Sequence, residues 1–169
     1  LFRKDLAGGA ILDVGLYPVS LSRMIAGASL GKKFANPISL DCEGVIGETG
    51  VDEIAHANLS FENNIIAEVS TSIMKDMDNK AIVKGTKGSI ELDQPWMPGR
   101  DKGPYHSKFI VTVNNKKNII EFKGPEQLFT FEAELASQAI LKGKKEIEYP
   151  GMQWEDTLGN LKTLDEWRK

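Results

Sequence analysis

The spacing of apolar positions changes along this chain, and each change marks an element. Over residues 1–27, Leu12, Leu16, Val19, Met24 and Ile25 recur at roughly helical spacing, which predicts a mostly helical start. Gly27 reads as its C-cap. Pro18 interrupts that pattern, because its ring crowds the turn carrying the Val14 carbonyl and its nitrogen has no proton to donate there. Either the helix kinks between 14 and 18, or a new helix begins with Pro18 in its first turn. Residues 28–36 read as connector. After Pro37 the period falls to two: Ile38, Leu40, Cys42, Gly44 and Ile46 alternate with Ser39, Asp41, Glu43 and Val45. That pattern predicts a strand with one buried face, and with it a buried Cys42 thiol.

The same reasoning carries on. Strands are predicted at about 52–61 and 65–74, joined by a tight turn at Glu62-Asn63-Asn64, where asparagine tolerates positive φ. The polar run Ser70-Thr71-Ser72 gives the second of these a face that does not look into hydrocarbon. A hairpin spans 80–85 and 88–93 around Thr86-Lys87. Three prolines and two glycines make Gln94 to Pro104 an irregular loop. Strands follow at about 107–113 and 117–123, turning at Asn114-Asn115. An amphipathic helix over 126–142 carries Phe129, Phe131, Leu135, Ile140 and Leu141 and stops at Gly143. A short extended piece leads to Tyr149. The last helix, about 153–167, runs through Trp154, Leu158, Leu161, Leu164 and Trp167. Helix, hairpin-linked strands, then two helices give an α+β fold: a mostly antiparallel open sheet of about six to seven strands with helices on one face. A single domain over residues 1–169 is expected.

Composition narrows the function classes. Hydrophobic residues make up 41% and charged residues 27% of the 169, ordinary for a globular chain. The net charge of −3 offers no large positive field, so nucleic acid is an unpromising partner. The lone Cys42 excludes an internal disulfide and fits a reducing, cytoplasmic setting. No apolar run approaches the ~20 residues that span a bilayer, and no membrane partner is expected. The chain opens at Leu1 directly before a structured motif, and it is expected to be a piece of a longer protein.

The densest unusual chemistry lies in Gly8-Gly9-Ala10-Ile11-Leu12-Asp13-Val14-Gly15-Leu16-Tyr17-Pro18. If this run is helical, Asp13 and Tyr17 sit one turn apart on one face, a carboxylate and a phenol able to share a pocket. The bland alternative is that Asp13 caps a helix and Tyr17 fills a core edge. His106, beside the proline-rich loop, is a candidate lining residue for a cleft. His56 falls on a strand and reads as structural, and two histidines fifty residues apart with no cysteine cluster do not make a zinc site. No Gly-x-Gly-x-x-Gly follows a strand, so the chain carries no dinucleotide fingerprint. Gly27 to Lys33 lacks the spacing of a phosphate loop, and Gly85 to Gly88 reads as a β-turn. Glu155 and Asp156 read as first-turn acids favoured by a helix dipole.

With the motif and the element order set out, the chain resembles the C-terminal domain of the Gfo/Idh/MocA oxidoreductases. The residues that carry the likeness are Gly8 to Pro18, Gly50-Val51-Asp52, Lys84-Gly85-Thr86-Lys87-Gly88-Ser89-Ile90, Trp154 to Leu158 and Thr163 to Arg168. The resemblance implies an upstream Rossmann domain that binds NAD or NADP and supplies a catalytic lysine. It implies that Asp13 occupies the substrate-site aspartate position and Tyr17 the acid/base position. Tyrosine there is similar to the dihydrodiol dehydrogenase and glucose–fructose oxidoreductase branch. Such a site oxidises a secondary alcohol by taking its hydroxyl proton while hydride leaves for nicotinamide. A phenol ordinarily titrates near ~10, and a neighbouring lysine cation favours the phenolate.

The expectation is thus the substrate-binding and oligomerisation domain of an NAD(P)-dependent dehydrogenase of a sugar, polyol or dihydrodiol. Alone it should be inactive, with the nucleotide held mainly by the missing domain, and it should form a homodimer or higher homo-oligomer through the open sheet face. The alternative is a non-catalytic ligand-binding or dimerisation β-sheet module.

Overall fold

The computed structural model describes residues 1–98, 104 and 106–169; residues 99–103 and Tyr105 of the expected proline-rich loop lie outside the described residues. The described residues form two compact units, one of Leu1–Met77 with Glu148–Lys169 and the other of Asp78–Ile147.

The first unit opens with helices α1 (Ala10–Asp13) and α2 (Leu16–Ser29). A new helix beginning just before Pro18 is therefore what forms. Pro18 falls at the third position of α2, among the first-turn nitrogens that have no intrahelical carbonyl to reach. At its other end α2 runs two residues past Gly27. The left-handed residue is Gly31 (φ 68°), and the Lys32 N–H returns to the Gly27 carbonyl at 2.8 Å while the Gly31 N–H reaches the Ala28 carbonyl at 3.3 Å. That is a Schellman ending, and the expected cap at Gly27 is corrected by four residues. Gly27 instead lies against the backbone of Phe34, where a Cβ would collide.

Strands β1 (Ser39–Ile46), β2 (Asp52–Ser60) and β3 (Ile66–Ser72) form an antiparallel sheet in that order. The turn between β2 and β3 holds Asn63 and Asn64 at positive φ, as the asparagine pair predicts. Registry separates two faces. Leu40, Cys42 and Gly44 stand opposite Leu59, Ala57 and Ala55, and Ala57 opposes Val69. Helices α1, α2 and α4 (Trp154–Trp167) pack on the strands of this sheet. Ile11, Val19, Ala26, Ala55, Ala57, Leu59, Phe61, Val69, Leu164 and Trp167 make the core between them. The other face is polar at its centre, with Asp41, Asn58 and Glu68, then Glu43, His56 and Ser70, and carries Val45, Ile54 and Ile66 toward its ends.

The expected burial of Cys42 is corrected here. β1 is an edge strand, and only Leu40 among its residues is even half-buried. Cys42 is therefore exposed, although burial first and the Asp41 carboxylate second push its thiol up. On α4 the buried positions are Gly159, Asn160, Thr163, Leu164 and Trp167, while Leu158 and Leu161 face outward. Small and polar residues fill the inner face because α4 lies close against an arginine of α2.

The second unit holds β4 (Lys80–Gly85), β5 (Gly88–Asp93), β6 (His106–Val113) and β7 (Lys116–Lys123), an antiparallel meander with α3 (Leu128–Leu141) following. The β6–β7 turn uses Asn114 and Asn115, both at positive φ (49° and 61°). Two such residues make the primed turn whose twist suits a two-residue hairpin. Ala81, Val83, Ile90, Leu92, Phe109, Val111, Ile120 and Phe122 fall on one face by registry, with the rings of Phe109 and Phe122 stacked at 5.6 Å between centroids. α3 forms where its stripe predicts, but Phe129, Leu135, Ile140 and Leu141 remain exposed. Apolar spacing specifies the helix without specifying a cover for its apolar side. Among the described residues, seven antiparallel strands and four α-helices thus give the expected α+β class, with the strands hydrogen-bonded as a three-stranded and a four-stranded sheet.

Candidate functional site

The site is built from the first seventeen residues upward. α1 has four residues, too few to hold a helix without outside support. Its N-cap is Gly9, which has no side chain to accept an orphan N–H. The acceptor comes from the sheet instead: Asp52 Oδ2, at the start of β2, accepts the Ile11 N–H at 2.6 Å. Gly9 lies at φ 120°, and a Cβ there would run into the Asp52 carboxylate. Thr71 Oγ1 of β3 donates to the Ala10 carbonyl at 3.2 Å, and Ala10 and Ile11 are themselves buried. The start of α1 is pinned to two strands.

Asp13 is the last residue of α1 and is exposed. Tyr17 lies in the first turn of α2 and is 45% exposed. Between them Val14 and Gly15 break the helix, the Gly15 N–H reaching both Ala10 and Ile11 carbonyls at 3.1 Å. Asp13 and Tyr17 therefore stand on two consecutive helical pieces and not on one continuous face. Both residues are exposed, and neither is a core-filling residue.

α2 is fastened by Arg23, which is fully buried. Its guanidinium donates to Asn36 Oδ1 at 2.8 Å, to Asn160 Oδ1 at 2.6 Å, and to the carbonyl and Oδ1 of Asp156 at 2.9 and 2.5 Å. It also lies over the Phe34 ring, 5.0 Å from the centroid. Burial pulls the guanidinium down from its usual range and the Asp156 carboxylate opposes that. Asp156 is indeed a first-turn residue of α4, but its partner is this cation as well as the helix dipole.

His106 belongs to the second unit. It opens β6 and lines a shallow cleft with Pro104, Lys123, Gly124 and Pro125. Its Nε2 lies 3.7 Å from Glu121, whose carboxyl Lys123 chiefly holds below the usual carboxylate range. His56 pairs across the strands with Ser70 Oγ at 2.7 Å, and its carbonyl accepts the Trp167 indole N–H, as a structural histidine does. Among the described residues no cluster of three or more histidine, cysteine or acidic side chains could hold a metal ion, and no helix is long and apolar enough to cross a membrane.

Sequence reasoning missed Asp52 and Arg23. The Gly50-Val51-Asp52 run was the available signal for the first: Gly50 turns at φ 76°, Val51 is buried and Asp52 reaches α1. For Arg23 the signal was a lone cation within the apolar stripe of α2.

Residues 1–91 match the family profile described as the GFO/IDH/MocA C-terminal domain. The trans-1,2-dihydrobenzene-1,2-diol dehydrogenase of Xenopus tropicalis is 32% identical over 150 residues, covering 85% of this chain and 41% of that protein. The human enzyme of the same name is 30% identical over 166 residues, covering 96% of this chain and 46% of its own length. The chain thus spans under half the length of these relatives. Among solved structures, an aldose-aldose oxidoreductase from Caulobacter crescentus superposes with a TM-score of 0.69 at 20% identity, covering 95% of this chain and 46% of that one. A 3-ketoreductase from Actinomadura kijaniata, solved with NADP and TDP-benzene, gives 0.70 at 21% identity, covering 97% and 46%. These two show the fold alone. The family profile and the dihydrodiol dehydrogenase relatives agree: the chain belongs to the Gfo/Idh/MocA family and carries its C-terminal domain.

Proposed function

We propose that this chain is the substrate-binding and oligomerisation part of an NAD(P)-dependent oxidoreductase acting on a secondary alcohol of a sugar, polyol or dihydrodiol. The observation that carries the reading is that exposed Asp13 and exposed Tyr17 flank one short break in a segment tied to the sheet by Asp52 and Thr71. The relatives named as dihydrodiol dehydrogenases support the substrate class.

In this reading Tyr17 takes the proton of the substrate hydroxyl, and Asp13 accepts a hydrogen bond from a neighbouring hydroxyl and orients the ring. Bound nicotinamide supplies the hydride acceptor. The chain has no glycine-rich nucleotide cradle, which agrees with a nucleotide held mainly by an upstream domain that also brings a lysine to the phenol. His106 is proposed as a substrate contact through the cleft it lines within the second unit.

The direct test is an assay of the full-length protein with NAD+ and NADP+ against trans-1,2-dihydrobenzene-1,2-diol, aldoses and polyols. Reduction of either nucleotide with one of these classes is expected; no turnover across the panel would favour the non-catalytic module. The same reading assigns the face of the β1–β3 sheet turned away from α1, α2 and α4, which includes exposed Val45 and Ile66, to a second copy of the chain. Sedimentation should then show a dimer or larger species, and a monomer at high concentration would remove that part of the proposal.

A further inference from the structure

We infer that Asp52 is a positioning residue for this site: it sets where Asp13 and Tyr17 stand by serving, from another element, as the missing cap of α1. The inference rests on the proposed function and deepens it. Three observations converge. The Ile11 N–H points to Asp52 Oδ2 at 2.6 Å, across forty-one positions of sequence. Gly9 leaves open the space that the Asp52 carboxylate occupies, at a φ of 120° that other residues rarely adopt. Thr71 holds the neighbouring Ala10 carbonyl at 3.2 Å, so both ends of one peptide pair are tied to the sheet.

A four-residue helix with a glycine cap has little order of its own. Without the carboxylate the Ile11 N–H loses its acceptor, and the segment is free to shift against β2 and β3. Asp13 sits two residues beyond Ile11, and Tyr17 follows one short break later. A displacement at the cap is therefore passed directly to the reacting groups. Asp52 touches neither substrate nor nucleotide in this account. It acts through α1, and the loss should appear in turnover and not in nucleotide binding.

The experiment uses the full-length protein with trans-1,2-dihydrobenzene-1,2-diol as the substrate probe. Asp52→Ala should lower kcat by about 10²-fold, the scale of an ångström-sized misplacement, with the KM for nucleotide unchanged. Asp52→Asn retains an oxygen for the Ile11 N–H and should recover most of that kcat. An Asp52→Ala enzyme with normal kcat and only a lower melting temperature would overturn the inference. Where Asp52→Ala gives no folded protein, Thr71→Val decides: a smaller loss of kcat supports the tether, and unchanged kcat overturns it. Tyr17→Phe measured alongside separates the two readings. Normal turnover in Tyr17→Phe removes the proposed site. Collapsed turnover there beside a normal Asp52→Ala removes this inference alone.

Discussion

Replacing Tyr17 by phenylalanine should lower turnover of the full-length enzyme by ~10²–10⁴-fold, the usual contribution of a positioned acid/base group. The substitution removes one oxygen and keeps the ring. Tyr17 is 45% exposed in the first turn of α2, so the core loses nothing of consequence. The helix is held from elsewhere, by Val19 in the core and by the Arg23 cluster. Fold and melting temperature should therefore stay near those of the parent, and nucleotide affinity should be unchanged, because the proposed nucleotide site lies upstream. Steady-state kinetics beside a fluorescence titration of NADPH would read both quantities. A variant that turns over at near-normal rate would take Tyr17 out of the mechanism. A variant that loses nucleotide binding as well would place the phenol at the nucleotide and not at the alcohol.

The residues of the proposed site stand out in the sequence, while the contacts that support them do not. An acid and a tyrosine beside Gly8-Gly9 stand out in any reading of the chain. The bond that fixes them joins residues 11 and 52, and no periodicity reports a contact of that range. The strands were legible because alternation and Asn-Asn turns are local signals: β4 and β5 fall where their hairpin pattern predicts. Burial was less so. Cys42 has the alternation of an inward residue, yet β1 is an edge strand that the helices cover poorly. In α4 the apolar Leu158 and Leu161 face outward, and the inner face holds Gly159, Asn160 and Thr163 together with Leu164 and Trp167. That arrangement has one cause. A buried guanidinium demands oxygen acceptors and space, and the residues of α4 that face it must supply both.

The same cluster carries the largest expected effect on stability. Removing the Asp156 carboxylate by Asp156→Ala leaves a fully buried cation without its counter-charge, which costs on the order of 3–5 kcal/mol. For a chain of this size that corresponds to a fall in melting temperature of roughly 6–20 °C, measurable by calorimetry. Gly159→Ala attacks the cluster sterically. Its new Cβ would meet the Arg23 guanidinium, and the displaced cation loses Asn36 as well, so a change that ordinarily favours a helix should here destabilise it. Exchanging both charges for apolar groups, as in Arg23→Met with Asp156→Leu, should recover part of the loss. Recovery stays incomplete because the Asn36 and Asn160 oxygens that now accept from Arg23 are left unpaired. The order of melting temperatures, parent above double variant above Asp156→Ala, is the signature of a buried ion pair. Melting of Asp156→Ala within about 2 °C of the parent would instead mean that the asparagine oxygens and the Phe34 ring satisfy the cation without a counter-charge.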